Sequence, residues 1–279
     1  MFICTGFTQS VAVDNIEQCS MPSYNGNTLY VGGTGEGNYS KIQDAINDSS
    51  DGDTIFVFGY SSPYYEHIRI NKSINLIGED SETTVIDGGG ESRDVVRIFR
   101  ADEIYINGFT IQKSNSSSLW YAGISLFYSD FTTITGNTIT NNRVGIYLEH
   151  SDRNNITGNT ISNHYNQNGI TVDDSHDNNI MGNTISNNHG GVGVFDSHGN
   201  TIQKNNFLNN TRQALFQNSF VNKWYQNYWN EPRILPKLIF GVIFLSFIYI
   251  PILIPWFNID LRPARKPYDI DTIWKRDTV

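Results

Sequence analysis

Phe131-Thr-Thr-Ile134-Thr-Gly-Asn137-Thr-Ile139 returns as Asn154-Asn-Ile156-Thr-Gly-Asn159-Thr-Ile161, as Asn178-Asn-Ile180-Met-Gly-Asn183-Thr-Ile185, and as Gly199-Asn-Thr-Ile202-Gln-Lys-Asn205-Asn-Phe207. The aligned isoleucines stand at 134, 156, 180 and 202, steps of 22, 24 and 22 residues. Such a period fits either a leucine-rich repeat or one coil of a parallel β-helix. Each unit holds three short runs, such as Gly145-Ile-Tyr-Leu148, Asn155-Ile-Thr157 and Thr160-Ile-Ser162, none long enough for a helix. Leucine is sparse, whereas Ile, Val, Thr and aromatics are plentiful, so the reading is an all-β parallel solenoid.

One coil cannot bury its own apolar residues, so Ile134, Ile156, Ile180 and Ile202 are expected to stack in an interior column. Ile139, Ile161, Ile185 and Phe207 form a second, and Asn137, Asn159, Asn183 and Asn205 a third at a turn. Asn suits that turn because its amide bonds to neighbouring backbone and because it tolerates left-handed φ.

The repeat extends through most of the 279 residues and divides the chain into a leader or signal-peptide remnant at 1–27, a solenoid at 28–230 and a carboxyl-terminal segment at 231–279. Net charge is −9, from 19 basic and 28 acidic residues, and the cations form no stripe, which disfavours a nucleic-acid partner. Cys4 and Cys19 both precede the repeat; they can pair only with each other if the chain is exported, and no cysteine zinc pattern exists. The leader has no basic start and a short apolar stretch, so it reads as the tail of a signal whose beginning lies upstream of Met1. Tyr39 to Asn47, with Ser40 as cap, predicts a short helix closing the amino-terminal end of the solenoid.

Between Ile106 and Ile134 the step is 28, six residues above the basic unit, and the excess falls in the loop from Ser114 to Tyr121. Trp120 and Tyr121 there either stack on a sugar ring or shield the coil. Tyr147 and Trp224 complete the aromatic binding candidates, although the aromatics from Trp224 to Trp229 also suit a carboxyl-terminal plug. Leu238 to Phe257 is twenty residues without a charge. It is long enough for a membrane span, with Trp256 and Lys237 as interface anchors; Pro251, Pro255 and the β-branched content favour a capping segment or hairpin.

The repeat resembles that of the NosD-like and carbohydrate-binding/sugar-hydrolase group. Ile42-Gln-Asp-Ala-Ile46, Gly52-Asp-Thr-Ile55 and Ile74-Asn-Leu-Ile-Gly78 to Gly88 resemble the opening coil of pectin-lyase-like proteins. The resemblance covers residues 29–229 and implies a right-handed, single-stranded parallel β-helix, often exported or surface-anchored. It does not imply one activity, because the group spans lyases, hydrolases, epimerases, adhesins and surface proteins.

Asp173, Asp174, His176 and Asp177 are the catalytic candidates, since glycan chemistry uses carboxylates and a histidine on one face. Asp174-Ser-His-Asp177 is similar to the acidic-histidine motif of alginate epimerases, with Ser175 in place of its proline. Asp173-Asp174, His189 and Arg212 resemble the charged set of polygalacturonases, without the flanking glycines and lysine. Stacking is expected to bring Asp152 and Asp196 beside Asp174, each 22 residues away. Asp173, Asp174 and Asp177 also offer oxygen ligands for calcium. The copper of the family's name wants clusters of Cys, Met or His that the coils lack. The sequence therefore supports a secreted or surface β-helix that binds polysaccharide or surface proteins without catalysis, calcium being the one candidate cofactor and a membrane reachable through 238–257. A polysaccharide lyase or epimerase is the alternative.

Overall fold

In the computed structural model, which describes residues 26–115, 121–164, 167–247 and 250–270, Thr133–Thr135, Asn155–Thr157, Asn179–Met181 and Thr201–Gln203 lie one on the next as parallel strands. Their register puts Ile134, Ile156, Ile180 and Ile202 in one column with no exposed surface. Thr138–Thr140, Thr160–Ser162, Thr184–Ser186 and Asn206–Leu208 stack likewise and bring in Ile139, Ile161, Ile185 and Phe207. A third column is built from the longer strands Ala122–Phe127, Val144–Glu149, Asn168–Asp173, Gly190–Phe195 and Arg212–Gln217. Three columns around one apolar centre make a parallel β-helix. Each interior isoleucine contributes roughly 1.5–3 kcal/mol by burial.

The turns are held by ladders of side chains. The N–H of Asn137 donates to Asn159 Oδ1 (3.0 Å), that of Asn159 to Asn183 (2.9 Å), that of Asn183 to Asn205 (2.9 Å) and that of Asn205 to Asn227 (3.1 Å). The amide nitrogens donate across the coil, as Asn159 Nδ2 does to the Ile134 carbonyl (2.8 Å). The expected left-handed conformation belongs not to these asparagines but to the residue before each: Gly136, Gly158 and Gly182 at φ 62° and Lys204 at 53°. The asparagines are acceptors for a buried N–H, which is why they are fully enclosed. Three further ladders run the same way, one through Ser151, Ser175 and Ser197, one through Asn154, Asn178 and Asn200, and one through Asn142, His164 and Asn188.

The helix Ile42–Asp48 closes the amino-terminal end, burying Ile42, Ala45 and Ile46. Its cap differs from the expectation: Ser40 makes no such bond, and Glu66 accepts the N–H groups of Ile42 (2.8 Å) and Gln43 (3.0 Å). A carboxylate at a helix amino terminus is favoured by the local dipole. At the other end Trp229 stacks on Phe207 with centroids 4.5 Å apart, and Trp224 continues the isoleucine column by pairing with Ile202. Trp224 is thus a core residue, 4% exposed, and not a binding platform.

Lys237–Phe247 and Ile250–Asp260 pair as an antiparallel hairpin. No helix among the described residues is long and apolar enough to cross a membrane. The helical span expected from the length of this stretch is replaced by strands, as its β-branched residues and Pro251 and Pro255 favour. Its first strand joins the long-strand column at Phe216↔Gly241, and its second joins the isoleucine column at Trp224↔Asp260. The hairpin thereby sutures two faces of the solenoid into one 18-stranded sheet, leaving the third as a 7-stranded sheet.

Candidate functional site

Along the long strands alternate residues point inward, so Ile146 and Leu148 are core while Tyr147 and Glu149 face out. Register stacks the outward positions into two neighbouring columns. One runs Arg69, Arg97, Ser125, Tyr147, Thr171, and the other Phe99, Phe127, Glu149, Asp173, Phe195. The Arg97 guanidinium lies 4.5 Å from the Phe127 ring centroid and 5.6 Å from that of Phe99, which Arg69 and Arg100 also approach, each at 5.2 Å. Cation–π contact orders these half-buried rings against the sheet.

The row changes character at Tyr147. Its ring meets Phe127 edge to face at 5.7 Å, and its hydroxyl lies 3.0 Å from Glu149 Oε2 and 3.2 Å from Asp173 Oδ2. Burial, then the charges of Asp173 and Glu149, push the phenol well above its ordinary range, so Tyr147 keeps its proton and is a hydrogen-bond donor to these carboxylates. Tyr147 is also nearly enclosed, which withdraws its ring as a stacking surface. Burial raises Asp173 in turn, against the bond from Tyr147 and with the help of the neighbouring carboxylates. Asp94, under the same face, is raised by burial although the Ala122 N–H donates to it at 2.8 Å.

Beyond Asp173 the chain turns through left-handed Asp174 (φ 42°) and Asp177 (φ 55°), so adjacent side chains diverge. Asp174 Oδ2 is 2.9 Å from His150 Nδ1, and its Oδ1 is 3.6 Å from His176 Nε2. The His176 Nδ1 accepts the His198 N–H (3.0 Å) and the His198 Nδ1 accepts that of Phe220 (3.0 Å), which fixes both rings as the Nε2–H tautomer. Asp177 packs against Gly199, where a Cβ would meet its carboxylate. Asp152 is not beside Asp174: its Oδ1 accepts the His176 N–H at 2.7 Å. Asn142 stacks on His164 22 residues on, yet Ile146 pairs with Ile170 24 residues on, so two extra residues between them shift the partners. Asp196 does stack on Asp174, in the turn that follows the Asp173↔Phe195 pair.

The four catalytic candidates therefore divide. Asp173 belongs to the outward row, Asp174 and His176 to an exposed turn with His150, and Asp177 to the next turn's packing. No three His, Cys, Asp or Glu residues gather as metal ligands among the described residues, so Asp173, Asp174 and Asp177 are not a calcium trio in space. Trp120 lies outside the described residues; Tyr121 is partly buried at the loop's end, its carbonyl accepting the Val144 N–H. His189 is exposed on a strand edge, and Arg212 is exposed in the long-strand column. The sequence reading missed Arg97, Phe99, Phe127 and Glu149; the usable signal was their parity, one position from an inward Ile or Leu in successive units.

Residues 26–244 match the profile of the family described as periplasmic copper-binding protein (NosD). Among the described residues the donors do not fit a copper centre. His176 and His198 stack as parallel rings 5.3 Å apart with Nδ1 occupied, His164 is walled in a ladder, and Met181 sulfur accepts from Gln203. Among solved structures, the pectate lyase Pel9A superposes with a TM-score of 0.58 at 15% identity, over 75% of this chain and 65% of that one. The periplasmic alginate epimerase AlgG gives 0.44 at 14% identity over 72% and 54%, and the alginate lyase of Paenibacillus sp. str. FPU-7 gives 0.41 at 12% over 71% and 95%. The chain thus spans less than two-thirds of the pectate lyase, and the likeness is one of fold. No curated protein sequence matches. With most of the chain inside one profile and its repeats coiled as a pectate-lyase-like β-helix, the protein belongs to the NosD family.

Proposed function

We propose that the protein is an exported or surface β-helix that binds polysaccharide along the outward row and does not cleave it. The observation that carries this reading is the group Arg97, Phe99 and Phe127, in which guanidinium and half-buried rings meet on successive strands, about 4.8 Å apart. A glycan laid along the solenoid axis meets the Phe99 and Phe127 rings beside Arg97 and then the carboxylates of Glu149 and Asp173. Arg69, Arg97 and Arg100 gather at one end and Glu149 and Asp173 at the other, so a uronate-bearing chain is favoured at the arginine end. The periplasmic description of the family supports export. Against catalysis stands the separation of the carboxylates: Asp173 is engaged by Tyr147, and Asp174 by two histidines.

Affinity electrophoresis in neutral and acidic polysaccharides, with product analysis, tests the reading. Retardation by an acidic glycan, weakened at least about fivefold in Arg97→Ala and in Phe127→Ala, is the expected result. Release of oligosaccharides or epimerised sugars, abolished in Asp174→Ala and His176→Ala, would instead establish an enzyme.

A further inference from the structure

The hairpin at 237–260 reaches further than closing the solenoid requires. Its first strand pairs with the coils only at Gly241 and Val242, and its second only at Asp260; elsewhere the two strands pair with each other. At the root one face is used, with Ile239 buried in the core and Gly241 against Phe216. The opposite face carries the cross-strand pairs Leu238↔Ile259 and Phe240↔Phe257, with Phe240 69% and Phe257 54% exposed. Trp256, on the other face and opposite Gly241, is 48% exposed. From Leu238 to Phe257 the sequence has no charge.

The flanks are basic. Arg233 and Lys237 enter the hairpin against one acid, Glu231, and Arg262, Arg265 and Lys266 leave it against Asp269, an excess of cations in a chain whose net charge is −9. Arg262, Arg265 and Lys266 are exposed, while Asp260 is wholly buried and committed to backbone and indole donors. Burial and the nearby Arg233 hold Lys237 below the ordinary lysine range, a position that an anion beside it would relieve.

We propose that this hairpin docks the protein on an anionic lipid surface, with its apolar face in the headgroup boundary and its basic root on the headgroups. An apolar blade with a cationic collar is the pattern of interfacial membrane binding. The blade lies in the interface and does not cross, because an open two-stranded hairpin leaves edge N–H and C=O groups that hydrocarbon cannot satisfy. A second copy covering the blade would leave the collar without a role.

The test is co-sedimentation of the full chain with phosphatidylglycerol-containing vesicles and with pure phosphatidylcholine vesicles, alongside light scattering of the free protein. Strong binding to the anionic vesicles is expected, lowered at least about tenfold by Arg265→Glu with Lys266→Glu, and also by Phe240→Ser with Phe257→Ser. Both double variants leave Ile239 and Asp260 intact, and unchanged circular dichroism confirms their fold. Absence of vesicle binding, equal binding to both lipids, or a stable dimer that Phe240→Ser with Phe257→Ser dissociates would overturn the proposal. Glycan binding by the outward row is read separately, so either can fail alone.

Discussion

His164 occupies a rung that asparagine holds in the neighbouring coils. Its Nδ1 lies 3.2 Å from the Asn142 N–H and 3.0 Å from the Asn142 carbonyl, Asn142 and Asn188 are its ladder neighbours, and its side chain has no exposed surface. Burial lowers its pKa from 6.5 to about 4. Between those values the unfolded chain takes up a proton that the native state refuses. The contribution is therefore present above 6.5 and lost as pH falls towards 4, by roughly 3 kcal/mol at about 1.4 kcal/mol per pKa unit. Asp94 and Asp173, raised by burial, act with the opposite sign and lose their contribution as pH rises. Replacing the ring by the ladder's usual side chain, His164→Asn, should flatten the acid limb of a urea-midpoint against pH profile; an unchanged limb would place the titration elsewhere. At this scale the sequence was half legible. The isoleucine and asparagine columns follow from spacing alone, since a fixed period leaves them no other place to stack. The partners of Asp174 did not, because two extra residues in a single coil move the stack from Asp152 to His150.

The carboxyl-terminal strand of the hairpin contains the acceptor that ends the asparagine ladder. Asp260 takes the N–H of Asn227 (2.9 Å) and of Gln226 (3.1 Å) and the indole N–H of Trp229 (3.0 Å). A last rung needs only to accept, and a carboxylate does nothing else. In Asp260→Ala two or three buried donors lose their partner at about 1–3 kcal/mol each. The loss in chemical-denaturation free energy should be several kcal/mol, with Asp260→Asn intermediate because it keeps one oxygen. The hairpin itself was visible as an apolar run, but run length alone does not separate a helix from two strands. Trp224 was open to two readings for a related reason: four aromatics in a short segment suit a platform or a plug until register aligns that residue with Ile202.

Across the whole molecule, stability is shared between neighbours, since each coil touches chiefly the one above and the one below. Ile180→Ala, in the middle of a fully buried column, should cost about 2–5 kcal/mol. Hydrogen exchange should rise in the coils on either side before it rises at the helix Ile42–Asp48, whereas uniform acceleration would mean that the solenoid unfolds as one unit. Function was the less legible part, because a row of outward side chains has no motif. Arg69, Arg97 and Phe127 become neighbours only through register. The four buried ladders also share a direction: in each, a backbone N–H waits for a side chain supplied by the next coil towards the carboxyl terminus. A chain leaving the ribosome therefore always carries one incomplete rim, its donors turned towards residues not yet translated. The order of synthesis is thus also the order in which the rungs are satisfied, and the ladder through Asn227 closes only when Asp260 arrives.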